Sequence, residues 1–145
     1  MQKKYVPDKS KPSAYIFDID GTLAKMYGRS PYEWDRVGED ELKQSVAHVL
    51  WSLQNHGHSI IIFTGRDGVC EASTLGWLCD NGINFDHFAI REEGNTEKDL
   101  IIKRRMFDDI KDDYDIRGVF DDRDQVVKMW RDLGLTCFQV AEGDF

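Results

Sequence analysis

Two aspartates stand one residue apart in the stretch YIFDIDGTLAKMYGR, which ends at Arg29. Asp18 lies within an apolar run, residues 15–19, and Asp20 follows it directly. Burying a carboxylate near the end of an apolar strand is costly, and burying two is costlier. Similar punctuation recurs downstream. Thr64-Gly65-Arg66 closes a second apolar run, and Asp121-Asp122-Arg123 closes another. Asp99 and Lys103 are spaced i, i+4, so on a helix they point from one face. Four converging carboxylates, Asp18, Asp20, Asp121 and Asp122, repel strongly unless a cation lies among them. Oxygen ligands with no His or Cys suit Mg2+. A carboxylate beside Mg2+ can attack phosphorus and form an aspartyl-phosphate. A second carboxylate can protonate the leaving oxygen and then activate water. The Thr64 hydroxyl, backbone N–H groups and Lys103 are the donors a phosphoryl oxygen requires. Gly21 and Gly65 allow the backbone to come close to such a group.

Each signal has an ordinary alternative. Asp-x-Asp-Gly-Thr also suits a solvated turn. Asp99 and Lys103 also suit a surface helix pair, and Asp121-Asp122 a helix N-cap. What favours a site is the conjunction, because every signal falls at a predicted strand end or one helical turn from it.

The elements that must position these groups follow from periodicity. Strands are predicted at 15–19, 58–66, 85–90, 116–122 and 136–141. Helices are predicted at 39–57, 71–82, 95–113 and 123–134. The first carries Leu42, Val46, Val49, Leu50 and Leu53 on one face, and the third opens with a capping box from Thr96 to Asp99. Strands alternating with helices predict an α/β fold, a doubly wound, mainly parallel five-stranded sheet. In such sheets ligands bind beyond the carboxyl ends of the strands. A loop over about 21–38 forms an insert after the first strand. Residues 1–14 read as a short solvated arm, and 15–145 as a single domain.

With 145 residues, 41% of them hydrophobic, the chain can build one core without disulfide or metal staples. No apolar run approaches the ~18 to 20 residues of a membrane helix, and residues 1–13 have no secretory h-region. The three cysteines, Cys70, Cys79 and Cys137, lack zinc-site spacing and read as mostly buried thiols in a reducing, cytoplasmic setting. A net charge of -8 argues against gripping long nucleic acid. It leaves room for a site that takes one phosphate at a chain end.

Asp18-Ile19-Asp20-Gly21-Thr22 resembles the first motif of the haloacid-dehalogenase (HAD) phosphotransferases, with Thr64, Lys103 and Asp121-Asp122 matching the second, third and fourth. That resemblance implies a Rossmann-like core, Mg2+ and an aspartyl-phosphate. A closer resemblance, through FDIDGTLAKMYGRSPYEW, IREEGNTEKDLIIK, FDDRDQVVKMWR and CFQVAEGDF, is to the 3'-phosphatase domains of the bacteriophage polynucleotide kinase–phosphatase type. It implies removal of 3'-phosphates, or opening of 2',3'-cyclic phosphates, at DNA or RNA ends. On it Asp18 is the nucleophile and Asp20 the general acid and base. The metal would be held by the Asp18 carboxylate, the Asp20 carbonyl and Asp121 or Asp122. Thr64 and Lys103 would hold the phosphoryl group, with the Gly65 amide assisting. Arg29 and Arg66 match two active-site arginines that would bind the substrate phosphate, and Asp99 an acid at that phosphate site that orients Lys103 or an arginine.

Two departures stand out. No kinase phosphate loop is present, so the chain reads as a stand-alone phosphatase or a domain of a longer protein. The segment after Arg66 is shorter than in the phage domains. The implied partners are 3'-phosphorylated ends, a kinase domain or ligase in the same repair pathway, and a second copy of the chain; no membrane is implied. In the insert, Tyr27, Tyr32 and Trp34 could stack on a base, or pack beneath the loop as its own small core. A phosphatase for small nucleotide or sugar phosphates, and a binding module with a dead site, are the rival readings.

Overall fold

In a computed structural model residues 3–26 and 29–145 are described. The chain runs β1 (Ser13–Phe17), β2 (Ala24–Lys25), a 3-10 turn (Trp34–Glu39), β3 (Glu41–Leu42) and α1 (Gln44–Asn55). It continues β4 (Ser59–Asp67), a 3-10 turn (Gly68–Cys70), α2 (Glu71–Asp80), β5 (His87–Arg91), α3 (Asp99–Ile110), β6 (Asp115–Asp121), α4 (Asp124–Asp132) and β7 (Cys137–Gln139). Five strands form one parallel sheet in the order β5-β4-β1-β6-β7. The α/β fold predicted from the sequence is therefore the fold observed. The chain starts at the central strand, builds outward through β4 and β5, then returns to β6 and β7 on the other side. β1 is the point where the winding reverses, and its carboxyl end, flanked by those of β4 and β6, is where such sheets bind ligands.

Alternate residues of the central strands feed two cores. Ile16, Ile61, Phe63 and Val119 pack with Ile102, Phe107, Val127 and Trp130 of α3 and α4. Phe17, Ile60, Ile62 and Phe120 pack with Val46, Leu50, Trp77 and Leu78 of α1 and α2. The N-terminal residues are not a purely solvated arm. Tyr5 packs edge-on against Phe107 at 5.4 Å, and its hydroxyl accepts from the Ile116 amide at 2.9 Å.

Several boundaries differ from the sequence-based expectation. β1 ends at Phe17, so Asp18 is the first residue past the strand rather than inside it. The insert runs on to Leu42, because β2 and β3 close it as an antiparallel ribbon with Ala24 opposite Leu42. Leu42 thus belongs to that ribbon and not to α1, and Val49 is exposed. No capping box forms at Thr96: α3 begins at Asp99 with no side-chain cap. The Asp99 carboxylate turns instead toward Arg91 of β5, a tertiary contact, and toward Lys103 one helical turn on. Asn95 closes the preceding turn instead, its side-chain oxygen accepting from the Glu97 amide at 2.8 Å.

No helix among the described residues is long and apolar enough to cross a membrane. Cys70 and Cys137 are buried but Cys79 is exposed. Burial, with Asp121 adding, pushes the Cys137 thiol up to about 12. A thiolate-specific chromogenic reagent near pH 8 is expected to label Cys79 rapidly in the folded protein, and Cys70 and Cys137 only after unfolding. Rapid labelling of Cys137 before unfolding would contradict this packing.

Candidate active site

Asp18 emerges from β1 with its amide donating to the Phe120 carbonyl of β6 at 3.0 Å, an extension of the ladder that fixes its direction. The next residues wind into a tight turn, in which the amides of Thr22, Leu23 and Ala24 all donate to the Ile19 carbonyl. Lys43, at the start of α1, braces this turn from outside through a 3.0 Å bond to the Gly21 carbonyl. Gly21 is required twice over. Its φ is +83°, and a Cβ there would lie 2.0 Å from an Asp122 carboxylate oxygen.

Asp18 is buried with both oxygens engaged: Lys103 Nζ donates to Oδ1 at 2.8 Å and Thr22 Oγ1 donates to Oδ2 at 3.0 Å. Lys103 is buried too and also reaches Asp121 Oδ2 at 3.0 Å and Asp99 Oδ2 at 3.4 Å. Trp130 of α4 donates to the same Asp121 oxygen at 3.4 Å, and the Asp122 amide donates to Asp121 Oδ1 at 2.8 Å. Burial works against the Lys103 ammonium, but Asp121, Asp18 and Asp99 outweigh it and raise its pKa well above the usual lysine range. Burial first, then Asp121, hold the Asp18 carboxyl well above the carboxylate range, with Lys103 opposing. Asp122 is raised by the same two causes.

One oxygen each from Asp18, Asp121 and Asp122 lie within 4.8 Å of one another. Three buried carboxylates against the single ammonium of Lys103 leave an excess that a divalent cation would balance. Hard oxygen donors with no nitrogen or sulfur suit Mg2+. Both Asp121 and Asp122 contribute an oxygen to the cluster, whereas the Asp20 carboxylate does not.

Asp20 turns the other way. Between Thr64 and Asp67 the β4–β5 register shifts, and this bulge takes Gly65 and Arg66 out of the regular ladder. Arg66 is fully buried, and its Nη2 donates to Asp20 Oδ1 at 2.8 Å and to Asp40 Oδ2 at 2.7 Å. Its Nε donates to both Asp20 oxygens at 3.1–3.2 Å, and its Nη1 to Thr74 at 3.1 Å. Arg29 grips Asp40 with two bonds of 2.8 Å and comes within 3.4 Å of Asp20. The sequence reading gave Arg29 and Arg66 to the substrate phosphate. In this geometry their donors go to Asp20 and Asp40, and neither side chain is exposed.

The structure brings Asp18, Lys103, Asp121, Asp122 and Asp99 together, with Asp20, Arg66 and Arg29 beside them. Thr64 is buried within β4 at the start of the bulge, where its hydroxyl accepts from the Arg66 amide at 3.2 Å. Gly65 lies against Asp99, since a Cβ there would sit 1.9 Å from Asp99 Oδ1. Tyr27 lies outside the described residues. Sequence reasoning missed Asp40, Thr74, Trp130 and Arg91. Asp40 sits in the charged run GEDEL with nothing to set it apart from Glu39 or Glu41. Trp130 reads as a core residue on the apolar face of a helix, which it also is. Arg91 closes the back of the site, donating to the Gly65 carbonyl at 2.8 Å and standing 3.6 Å from Asp99.

A parallel sheet wound about a central strand, with an Asp-x-Asp turn at that strand's end and a helix-borne lysine on its first aspartate, defines a HAD-type phosphatase domain. Comparison with known proteins narrows this. The family model for the polynucleotide kinase PNKP phosphatase domain matches residues 12–145, and the chain belongs to that family. A protein of Autographa californica nuclear polyhedrosis virus, named as a bifunctional polynucleotide kinase/RNA ligase, is 37% identical over 144 residues, covering 94% of this chain and 21% of that protein. A chain in a solved Pnkp1/Rnl/Hen1 complex superposes with a TM-score of 0.93 at 38% identity, covering 99% of this chain and 51% of that one. This chain thus spans about a fifth of the viral relative and about half of the solved one. A HAD-like phosphatase from Mesorhizobium loti, at 13% identity and a TM-score of 0.63, shares the fold.

Proposed function

We propose that this domain is a Mg2+-dependent 3'-phosphatase of polynucleotide ends, RNA ends foremost, acting through an aspartyl-phosphate. The observation that carries the reading is the Asp18–Lys103–Asp121 cluster within a chain that matches the PNKP phosphatase family from residue 12 to 145. The preference for RNA draws on the solved relative, which belongs to an RNA repair complex, and on the viral one, named as an RNA ligase. A kinase and a ligase acting on the same ends, carried on this polypeptide or beside it, are the partners that those relatives suggest.

Asp18 attacks phosphorus and the ester oxygen leaves as the 3'-hydroxyl, taking a proton from Asp20. Water then attacks the aspartyl-phosphate while Asp20 takes a proton from it, which releases inorganic phosphate and restores Asp18. Lys103 faces the attacking carboxylate and offsets negative charge on the phosphoryl oxygens, helped by Thr64 and the Gly65 amide. Thr22 keeps the Asp18 carboxylate from rotating. Arg66 and Arg29 aim Asp20, and Asp40 holds both arginines in place. When bound by Asp18, Asp121 and Asp122, Mg2+ supplies Lewis-acid charge at the phosphoryl oxygens.

The test compares phosphate release from 3'-phosphorylated RNA, 5'-phosphorylated RNA and glycerol phosphate, with Mg2+ and with EDTA. Release from the 3' end alone, lost in EDTA and restored by Mg2+, is the expected result. Equal rates on all three substrates would instead point to a small-molecule phosphatase. No release on any of them would point to a binding module.

A further inference from the structure

Tyr32 is a large aromatic residue left 81% exposed. Lone exposed aromatics are ordinary, but this one stands on a turn that is tied by hydrogen bonds. It sits at the third position of the turn Ser30-Pro31-Tyr32-Glu33, closed by the Glu33 amide donating to the Ser30 carbonyl at 3.2 Å. Pro31 precedes it at the position where proline presets the turn. The Ser30 amide donates back to Glu33 Oε1 at 2.9 Å, and Arg36 holds Glu33 Oε2 at 3.2 Å. Trp34 lies edge-on to the Tyr32 ring, with centroids 6.3 Å apart. The whole turn hangs from the site itself. Arg29 Nη1 donates to the Ser30 carbonyl at 3.1 Å, while the rest of the same guanidinium binds Asp40 and reaches Asp20.

We propose that Tyr32 is the stacking platform for the base of the nucleotide that carries the 3'-phosphate. The inference rests on the 3'-phosphatase reading above and names the recognition element for it. Charge supports it as well. A chain of net charge -8 is poorly suited to hold a polynucleotide through a long row of phosphate contacts. Affinity for an end must then come from a few contacts at the terminal nucleotide. Stacking on one aromatic ring is strong, tolerant of sequence, and most effective when the ring is already fixed in place.

The experiment measures kcat and KM for wild type, Tyr32→Ala and Tyr32→Phe on three substrates. These are a 3'-phosphorylated oligoribonucleotide, the same oligomer with an abasic terminal sugar, and glycerol phosphate. Tyr32→Ala is expected to lower kcat/KM on the intact oligomer about ten-fold, mainly through KM, within the range that stacking supplies. It is expected to leave the abasic oligomer and glycerol phosphate unchanged, and Tyr32→Phe to match wild type. Unchanged kinetics of Tyr32→Ala on the intact oligomer would overturn the inference, and so would equal losses on intact and abasic ends. A wild-type enzyme that ignores both oligomers yet cleaves glycerol phosphate would overturn the 3'-phosphatase reading itself, and this inference with it.

Discussion

Asp18→Asn is expected to abolish turnover while leaving the fold intact or more stable. The first half follows from chemistry. An amide is no nucleophile toward phosphorus, so the route through an aspartyl-phosphate closes and kcat should fall by about 10^4 or more. The second half follows from packing. Asn has almost the shape of Asp, its Oδ1 can still accept from Lys103, and the Thr22 hydroxyl can accept from the new amide. The substitution also removes one of three buried carboxylates crowded within 4.8 Å. In EDTA, where no cation relieves that crowding, the melting temperature should stay level or rise. Single-turnover assays with labelled 3'-phosphate and thermal melts with and without Mg2+ read both halves. A variant within ten-fold of the wild-type rate would remove Asp18 from the nucleophile's place.

Asp40→Asn should be damaging for the opposite reason. Asp40 is no part of the Asp18–Asp121–Asp122 cluster, yet it is fully buried and neutralises Arg29 and Arg66, which are buried with it. Removing one partner of a buried ion pair costs about 3 to 5 kcal/mol because the remaining charge is stranded. For a domain of this size that is a fall in melting temperature of roughly 10 to 15 °C. Activity should fall beyond what instability explains. With Asp40 neutral, both guanidinium groups lean on Asp20 alone, and Asp20 loses its aim. The adjacent acid Glu39 provides the control. It is exposed and pairs with Arg36 at the surface, where solvent screens the pair, so Glu39→Gln should leave the melting temperature essentially unchanged. Melting curves and kcat, measured in folded samples well below the transition, test the contrast. Equal effects at Glu39 and Asp40 would mean that the charge network does not brace the site.

The difference between these two acids also marks where sequence reasoning stops. Asp18 can be recognised from the chain alone, because it stands at the end of an apolar run with Asp20 and Gly21 beside it. No local pattern distinguishes Asp40 from Glu39 or Glu41. Its burial depends on the 3-10 turn and on the β2–β3 ribbon laying it against two arginines from distant segments. Similarly, the sequence places Arg66 at a strand end but not which way it points. The bulge in β4 decides that, and it turns the guanidinium to Asp20 instead of leaving it open to a phosphate. Asp99 likewise suits a cap with Thr96 when read locally, but the fold brings Arg91 of β5 within its reach, while its partner Lys103, one helical turn on, was legible from the spacing.

By itself the sequence determined the alternation of strands and helices, the parallel sheet, and the strand ends at which chemistry would gather. Those depend on local periodicity and on the exclusion of charge from apolar runs, and both are written in neighbouring residues. Only the tertiary structure decided which carboxylates cluster within 4.8 Å of one another and which one faces arginine. It also decided which acid braces the arginines and that Tyr32 is left exposed. Those outcomes depend on where side chains from segments far apart in the chain arrive in space, and no local spacing encodes that.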